Sequence, residues 1–225
     1  MTLLLDLDGT LIDSDRAYHD ALQAIDIDPK VECYRHARER VKARLGNGNV
    51  GARNRLLYFK EMLIALGGYS PARLLDRMDR YEKALEAIFK RQWQDLRRLE
   101  LCEFLSSRFE IVLITNENLR TQTIKLRAID PDGSLFPHVI TSEEFGVEKP
   151  SLQLFEAAIH CVGAKASESV MVGDDIECDI YPALQLQMKA ILSTEFSVPK
   201  TVIPDTVQVL SNLEQLKTLV LKGEI

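Results

Sequence analysis

The chain carries two carboxylates two residues apart in Asp6-Leu7-Asp8-Gly9-Thr10, directly after the apolar run Leu3-Leu4-Leu5. At the C-terminal end of a strand such a pair projects into one space. Like charges that close are costly unless a cation neutralises them or one stays protonated. Gly9 lets the chain turn sharply there. Three further segments add to the set. Thr115-Asn116 brings a hydroxyl and an amide, Lys149-Pro150 an inward-facing ammonium, and Gly173-Asp174-Asp175 with Asp179 further carboxylates. Carboxylates, a lysine and hydrogen-bond donors together suit a hard, oxygen-ligated cation such as Mg²⁺ and a transferring phosphoryl group.

These residues must converge, and the hydrophobic pattern says how. The run Leu3–Leu5 and segments 110–114, 138–140, 169–172, 189–192 and 206–209 are short and apolar. The first, second and fourth end at Asp6, Thr115 and Gly173 of the segments just named, the third ends at Thr141-Ser142, and Lys149-Pro150 precedes the helical segment 151–163. Buried parallel strands with a site at their C-terminal edge read this way. Segments 118–128, 151–163 and 177–187 carry apolar residues at helical spacing, and Ser211 to Glu214 reads as a capping box opening a last helix. Alternation of strand and helix implies a doubly wound α/β sheet.

Residues 15–95 differ. They read as helix, with breaks at Asp28-Pro29, Gly46 to Gly51 and Gly67-Gly68. Ser70 followed by Pro71 is a helix start. Leu74, Leu75, Met78, Tyr81, Leu85, Ile88 and Phe89 form the stripe that follows. A helical insertion directly after a strand bearing acidic residues suggests a lid over that strand's end.

Composition narrows the partners. There are 28 Lys+Arg against 34 Asp+Glu, a net charge of −6, which argues against a nucleic-acid or anionic-membrane binder. No apolar run approaches the roughly 20 residues a membrane helix needs. Cys33, Cys102, Cys161 and Cys178 are scattered, which fits a reducing compartment and a cytoplasmic protein. The expected partner is a small phosphorylated metabolite, with no nucleic acid and no membrane, and the chain a monomer or homodimer.

In order and spacing the four polar segments resemble those of the haloacid dehalogenase-like (HAD) superfamily of phosphatases. Residues 141–150 and the stretch from Gly173 to Ile180 are most similar to its nucleotidase and sugar-phosphatase branch. The resemblance implies a Rossmann-like core over 1–14 and 96–225, with a helical subclass I cap over 15–95. It implies that Asp6 is the nucleophile forming an aspartyl-phosphate and that Asp8 is the general acid/base. Thr115 with the Asn116 backbone would hold phosphoryl oxygens, and Lys149 would offset charge. Asp6, the Asp8 carbonyl and Asp174 would ligate Mg²⁺, with Asp175 or Asp179 in support. Having both Asp8 and the Asp174 cluster favours phosphate chemistry over dehalogenation. One departure stands out: residues 180–188 lack the glycines usual there, which puts helix–sheet packing in question.

The implied activity is Mg²⁺-dependent hydrolysis of a phosphomonoester, with a nucleoside monophosphate first and a sugar phosphate second. A phosphomutase using the same aspartyl-phosphate is the alternative, and a non-enzymatic binding protein a third reading that the intact motifs disfavour. Other features read as structural. Gly46 to Gly51 matches G-x-G-x-x-G but follows a helix, so it reads as a helix–helix loop. Asp13 or Ser14 reads as a cap or hinge, and His19, His36 and His160 as ordinary surface or core residues. The Cys178 thiol should be blunted by adjacent carboxylates. Residues 35–60 hold eight Lys+Arg and one acid, Glu39, a local charge of +7, leaving −13 elsewhere. Arg53 and Arg55 are the substrate-recognition candidates of that stretch. If it faces water instead, it is a solvated helix.

Overall fold

The computed structural model describes residues 1–28, 32–46, 48–199 and 201–225. Six strands form one parallel sheet: β1 (Thr2–Leu5), β2 (Glu110–Thr115), β3 (His138–Thr141), β4 (Ser169–Gly173), β5 (Lys189–Ser193) and β6 (Gln208–Leu210), in the order β3-β2-β1-β4-β5-β6. Each apolar run identified in the sequence is one of these strands. Alternate residues feed opposite faces, as the two-residue side-chain period requires. Leu3, Leu5, Ile111, Leu113, Val170 and Val172 join one core cluster. Leu4, Val112, Ile114 and Met171 join the other. Both faces are covered, so the sheet is a doubly wound α/β core.

Register sets the site. Leu5 lies opposite Leu113 on one side and Val172 on the other. The residues that follow β1, β2 and β4 therefore emerge side by side. Strand order reverses between β1 and β4, the place where such sheets open a crevice at their carboxyl ends.

Between β1 and β2 run α1 (Ser14–Gln23), α2 (Glu32–Leu45), a 3₁₀ turn (Val50–Arg53), α3 (Arg55–Ala65), α4 (Pro71–Asp95) and α5 (Arg98–Ser106). Asp13 caps α1 by accepting from the Arg16 N–H, and Ser70 caps α4 with Pro71 in the first turn. The stripe on α4 is buried at Leu74, Met78, Tyr81, Leu85 and Phe89, but Leu75 is 57% exposed. One residue beyond Leu74 is 100° round the helix, outside the packed face. Tyr81 meets Phe59, and Tyr34 meets Tyr58, edge to face. Trp93 reaches Phe136 on the sheet side, so the insertion and one sheet face share a single core.

After β2 come α6 (Leu119–Ile129), α7 (Ser142–Phe145), α8 (Leu152–His160), α9 (Tyr181–Gln185) and α10 (Gln215–Leu221). The capping box expected at Ser211 to Glu214 does not form. Gln215 accepts from the Ser211 and Asn212 N–H groups in its place, and the helix begins at Gln215. Where glycines are missing before α9, small side chains and an altered turn stand in their place. A π-helical turn over Ile176–Ile180 precedes α9, and fully buried Ala183 makes the close approach to the sheet. The break expected at Asp28-Pro29 includes Pro29, and the G-x-G-x-x-G segment includes Asn47, both outside the described residues. The described part of that segment is a connection between α2 and the 3₁₀ turn, with Asn49 accepting from the Gly51 N–H.

Candidate active site

Asp6 leaves β1 into the crevice and is 4% exposed. Its Oδ1 accepts from Lys149 Nζ at 2.6 Å, and its Oδ2 from the Thr10 hydroxyl at 3.1 Å. The Lys149 ammonium also donates to Asp179 Oδ1 at 2.6 Å and to the Ile114 carbonyl at 3.1 Å. The Asn116 amide positions this lysine. It accepts from the Lys149 N–H at 2.6 Å and donates to the Lys149 carbonyl at 2.9 Å. Both ends of the Asn116 amide are thus engaged by the Lys149 backbone, although the residue borders the crevice.

Asp174 stands opposite, with Ser197 donating to it at 3.2 Å. A β-carbon at Gly9 would collide with the Asp174 carboxylate, and one at Gly173 with that of Asp179. Glycine at these two positions is what allows the carboxylates to approach β1 and β4. Asp6, Asp174 and Asp179 each bring an oxygen, all within 4.8 Å of one another. Burial pushes the Asp6 carboxyl well above its ordinary value, and Asp179, Asp174 and Asp8 add to the effect against Lys149. Burial, then Asp179, push Asp174 up to about 7. Burial alone would lower Lys149, yet Asp179 and Asp6 outweigh it and hold the ammonium above the usual lysine value.

Three carboxylates therefore face one ammonium. The excess negative charge and the hard oxygen donors fit a divalent cation such as Mg²⁺ held by Asp6, Asp174 and Asp179. Asp175 takes a different part from these. Its side chain accepts from the Glu177 and Cys178 N–H groups and caps the π-helical turn. The Asp8 carboxylate also turns away from the cluster. The Cys178 thiol is pushed up to about 12, chiefly by burial and then by Asp175 and Asp179.

The raised Asp174 value carries a stability consequence. A carboxyl whose folded pKa lies above its ordinary 3.8 stabilises fully below that value and loses the contribution as pH rises through about 7. In chelator, this part of the stability should fall from pH 4 to pH 7 (on the order of those values). Mg²⁺ competes with protons for the same oxygens, so its stabilising increment should be larger at pH 8 than at about pH 5. Melting curves with EDTA and with Mg²⁺ check this, and an increment independent of pH would refute it.

Asp8 occupies a separate pocket of donors. Lys125 Nζ approaches its Oδ1 at 2.5 Å and Gln122 Nε2 its Oδ2 at 2.7 Å. The Ser14 hydroxyl also donates to it, and Thr115 Oγ1 lies at 3.4 Å. Burial alone would raise the Asp8 carboxyl, but Lys125 and these donors outweigh it and hold it well below the usual carboxylate range. Lys125 is fully buried.

Gln122 and Lys125 were not expected as site residues. They share the inward face of α6 with Ile129, at spacings of three and four. A glutamine and a lysine on a helix ordinarily read as solvated. Their sequence signal, polar residues on an apolar stripe, is visible once the stripe's direction is known. Ser14, expected as a cap or hinge, is in contact with Asp8.

The basic stretch is divided: Arg35, Arg38, Lys42, Arg53 and Arg55 line the crevice, whereas Arg40, Arg44 and Lys60 lie outside it and are exposed. A cavity of about 460 Å³ is walled by Asp6, Asp8 and Asp174 on the sheet side and by Arg38, Lys42 and Arg55 on the insertion side. His19, Arg35, Arg53 and Tyr58 also line it. Arg53 and Arg55 are each paired with a carboxylate of the sheet side, however. Arg53 makes a paired contact with Glu148 at 2.9 and 3.1 Å. Arg55 bonds Glu117 at 2.6 Å and stacks over Tyr18 at 3.8 Å. Glu117 also accepts from the Tyr18 hydroxyl and from Asn118. Both arginines fasten the insertion to loops of the sheet domain beside Lys149 and Thr115.

Compared with known proteins, residues 1–186 match the family model of haloacid dehalogenase-like hydrolase. The chain belongs to that family. It is 32% identical over 72% of its length to a ribulose-1,5-bisphosphate 5-phosphatase of Halopiger xanaduensis, the match covering 66% of that protein. Over 24% of its length it is 51% identical to a glyceraldehyde 3-phosphate phosphatase of Methanocaldococcus jannaschii, the match covering 23% of that protein. The matched stretches thus span less than two thirds of these relatives. Among solved structures, a 2-haloacid dehalogenase from Pseudomonas syringae superposes with a TM-score of 0.69 at 23% identity, covering 99% of this chain and 100% of that one. A magnesium-bound HAD hydrolase from Bacillus subtilis superposes with 0.67 at 21% identity, covering 97% of each chain. These two likenesses speak to the fold. Among the described residues no helix is long and apolar enough to cross a membrane.

Proposed function

We propose that this hydrolase is a Mg²⁺-dependent phosphatase of small phosphorylated metabolites, working through an aspartyl-phosphate on Asp6. The observation that carries the reading is the placement of Asp6. One carboxylate oxygen is held by Lys149, and the group abuts Asp174 and Asp179 in a charge-excess cluster. The bound cation would supply charge neutralisation and hold phosphoryl oxygens near the nucleophile. Residues 15–95 act as the cap and the rest as the core.

The protein's own groups divide the work. An Asp6 oxygen attacks phosphorus as the bond to the leaving oxygen breaks. Asp8 gives its proton to that oxygen, then takes one from the water that cleaves the aspartyl-phosphate and frees inorganic phosphate. Lys125 and Gln122 keep resting Asp8 ionised, its base form. Its acid form arises by uptake of a proton from solvent when the phosphoryl charge arrives beside it and opposes ionisation. Lys149 compensates charge at Asp6, and Thr115 at the end of β2 faces the same space.

A phosphorylated sugar is favoured as substrate over a nucleoside monophosphate. The relatives are named for ribulose bisphosphate, glyceraldehyde 3-phosphate and, in rat, N-acylneuraminate 9-phosphate. The test is a phosphate-release panel of sugar phosphates and nucleoside monophosphates, with Mg²⁺ and with EDTA. Release from sugar phosphates that EDTA abolishes is expected. No release from any ester would end the reading.

A further inference from the structure

The cations that line the cavity fall into two groups. Arg53, Arg55 and Lys149 are each neutralised by a carboxylate of the sheet domain. Arg38 and Lys42 are not. Among the described residues neither has an ion-pair partner, and Arg35, a turn earlier, meets the solvated Glu39 at 3.6 Å and the His36 ring at 3.5 Å. The three lie at spacings of three and four on α2, so they form one stripe. The stripe adjoins the face that packs, made of Tyr34, Ala37 and Val41. Its direction is therefore set by the core, and all three side chains line the same cavity as Asp6 and Asp174.

Like charges four apart on a helix repel, so Arg38 and Lys42 weaken α2 when nothing lies between them. Burial, then Arg38 and Arg53, lower the Lys42 ammonium from its ordinary value and outweigh the opposing effect of Glu148, as expected where cations are crowded. The phosphoryl group being transferred does not account for them. Its own cation, Lys149, comes from the sheet side and is already bonded to Asp6 at 2.6 Å, whereas Arg38 and Lys42 come from the insertion.

We propose that Arg35, Arg38 and Lys42 form a second anion subsite, and that the substrate is a small metabolite bearing a second negative group remote from the ester that is cleaved. That group is a phosphate or a carboxylate. Guanidinium forks bind either with paired donors, and Lys42 adds a point charge. The inference rests on the phosphatase reading for what happens at Asp6, but the subsite itself is read by binding alone.

Three six-carbon probes test it: glucose 6-phosphate, 6-phosphogluconate and fructose 1,6-bisphosphate. They carry at the distal end no charge, a carboxylate and a phosphate. Calorimetric titration into Asp6→Asn protein with Mg²⁺ avoids turnover. At least one doubly charged probe should bind about tenfold or more tighter than glucose 6-phosphate, and which one does so tells carboxylate from phosphate. Adding Arg38→Gln and Lys42→Gln should erase that ratio, whereas Arg40→Gln, off the cavity, should preserve it. Equal affinity for all three probes, no binding of any, or a ratio that survives the double substitution would overturn the subsite. Phosphate release from p-nitrophenyl phosphate by the parent protein reports separately on the phosphatase reading, so either can fail alone.

Discussion

Asp6→Asn should abolish phosphate release, by a factor on the order of 10⁴–10⁶, while leaving the fold intact. The amide is nearly isosteric with the carboxylate: its oxygen can still accept from Lys149, and its NH2 group can donate to the Thr10 hydroxyl, the two groups that now bond Asp6 at 2.6 and 3.1 Å. It cannot act as the nucleophile. Stability should move the other way. Burial and the neighbouring carboxylates disfavour a charge at Asp6, so a neutral group there relieves repulsion. In chelator the variant should melt at or above the parent temperature. Activity lost together with a well-kept or raised melting temperature is the pattern of a site that gives up stability for function. Residual turnover near the parent level would show that Asp6 is not the attacking group, whatever the melting curve does.

Lys149→Met should be damaging on both counts. Its ammonium is the bridge between Asp6 and Asp179, each at 2.6 Å, and is 4% exposed. Removing one partner of a buried pair strands the other, at a cost of about 3–5 kcal/mol. Here two carboxylates are stranded, and Asp174 stands beside them. The expected result is a large fall in denaturant midpoint in EDTA, partly recovered by Mg²⁺. Turnover with Mg²⁺ should fall by about 10²–10³ through loss of fixed positive charge at the reacting oxygen. The two substitutions should couple. In chelator, Asp6→Asn should restore part of the stability that Lys149→Met removes, because it deletes one of the stranded charges. Strict additivity in the double variant would show that the bridge has no such role.

The strands and the catalytic segments were legible because their signals are local. A short apolar run ending in Asp6, Thr115 or Asp174, or a lysine–proline pair before a helix as at Lys149, needs only its neighbours in sequence to be read. Parallel pairing then brings the ends together, as the Leu5–Leu113 and Leu5–Val172 registers do. The cap at Ser70 was equally local, one hydroxyl and a proline. The box at Ser211 misled because Gln215 competes for the same N–H groups, and that choice depends on how the turn packs.

Partnership was not legible. Arg53 and Arg55 read as recognition residues, yet each meets a glutamate that is distant in sequence, 95 and 62 residues away. Lys125 carried no signal of its own within the helical segment 118–128 and is the buried partner of Asp8, 117 residues earlier. Asp175 and Asp179 were indistinguishable as support for a cation. The backbone turn separates them, since Asp175 caps it while Asp179 is drawn inward to Lys149.

Residue chemistry and hydrophobic period, which are properties of short stretches, determined the sheet, its site edge and the kinds of group gathered there. The net charge of −6 belongs to the same level, and so does the basic stretch within it. Which charges cancel was decided only in three dimensions. Coulomb interaction and desolvation depend on separation and burial, and neither is set until the insertion packs over the sheet. That packing pairs Arg53 and Arg55 with Glu148 and Glu117. It leaves Arg38 and Lys42 facing the crevice without a partner among the described residues.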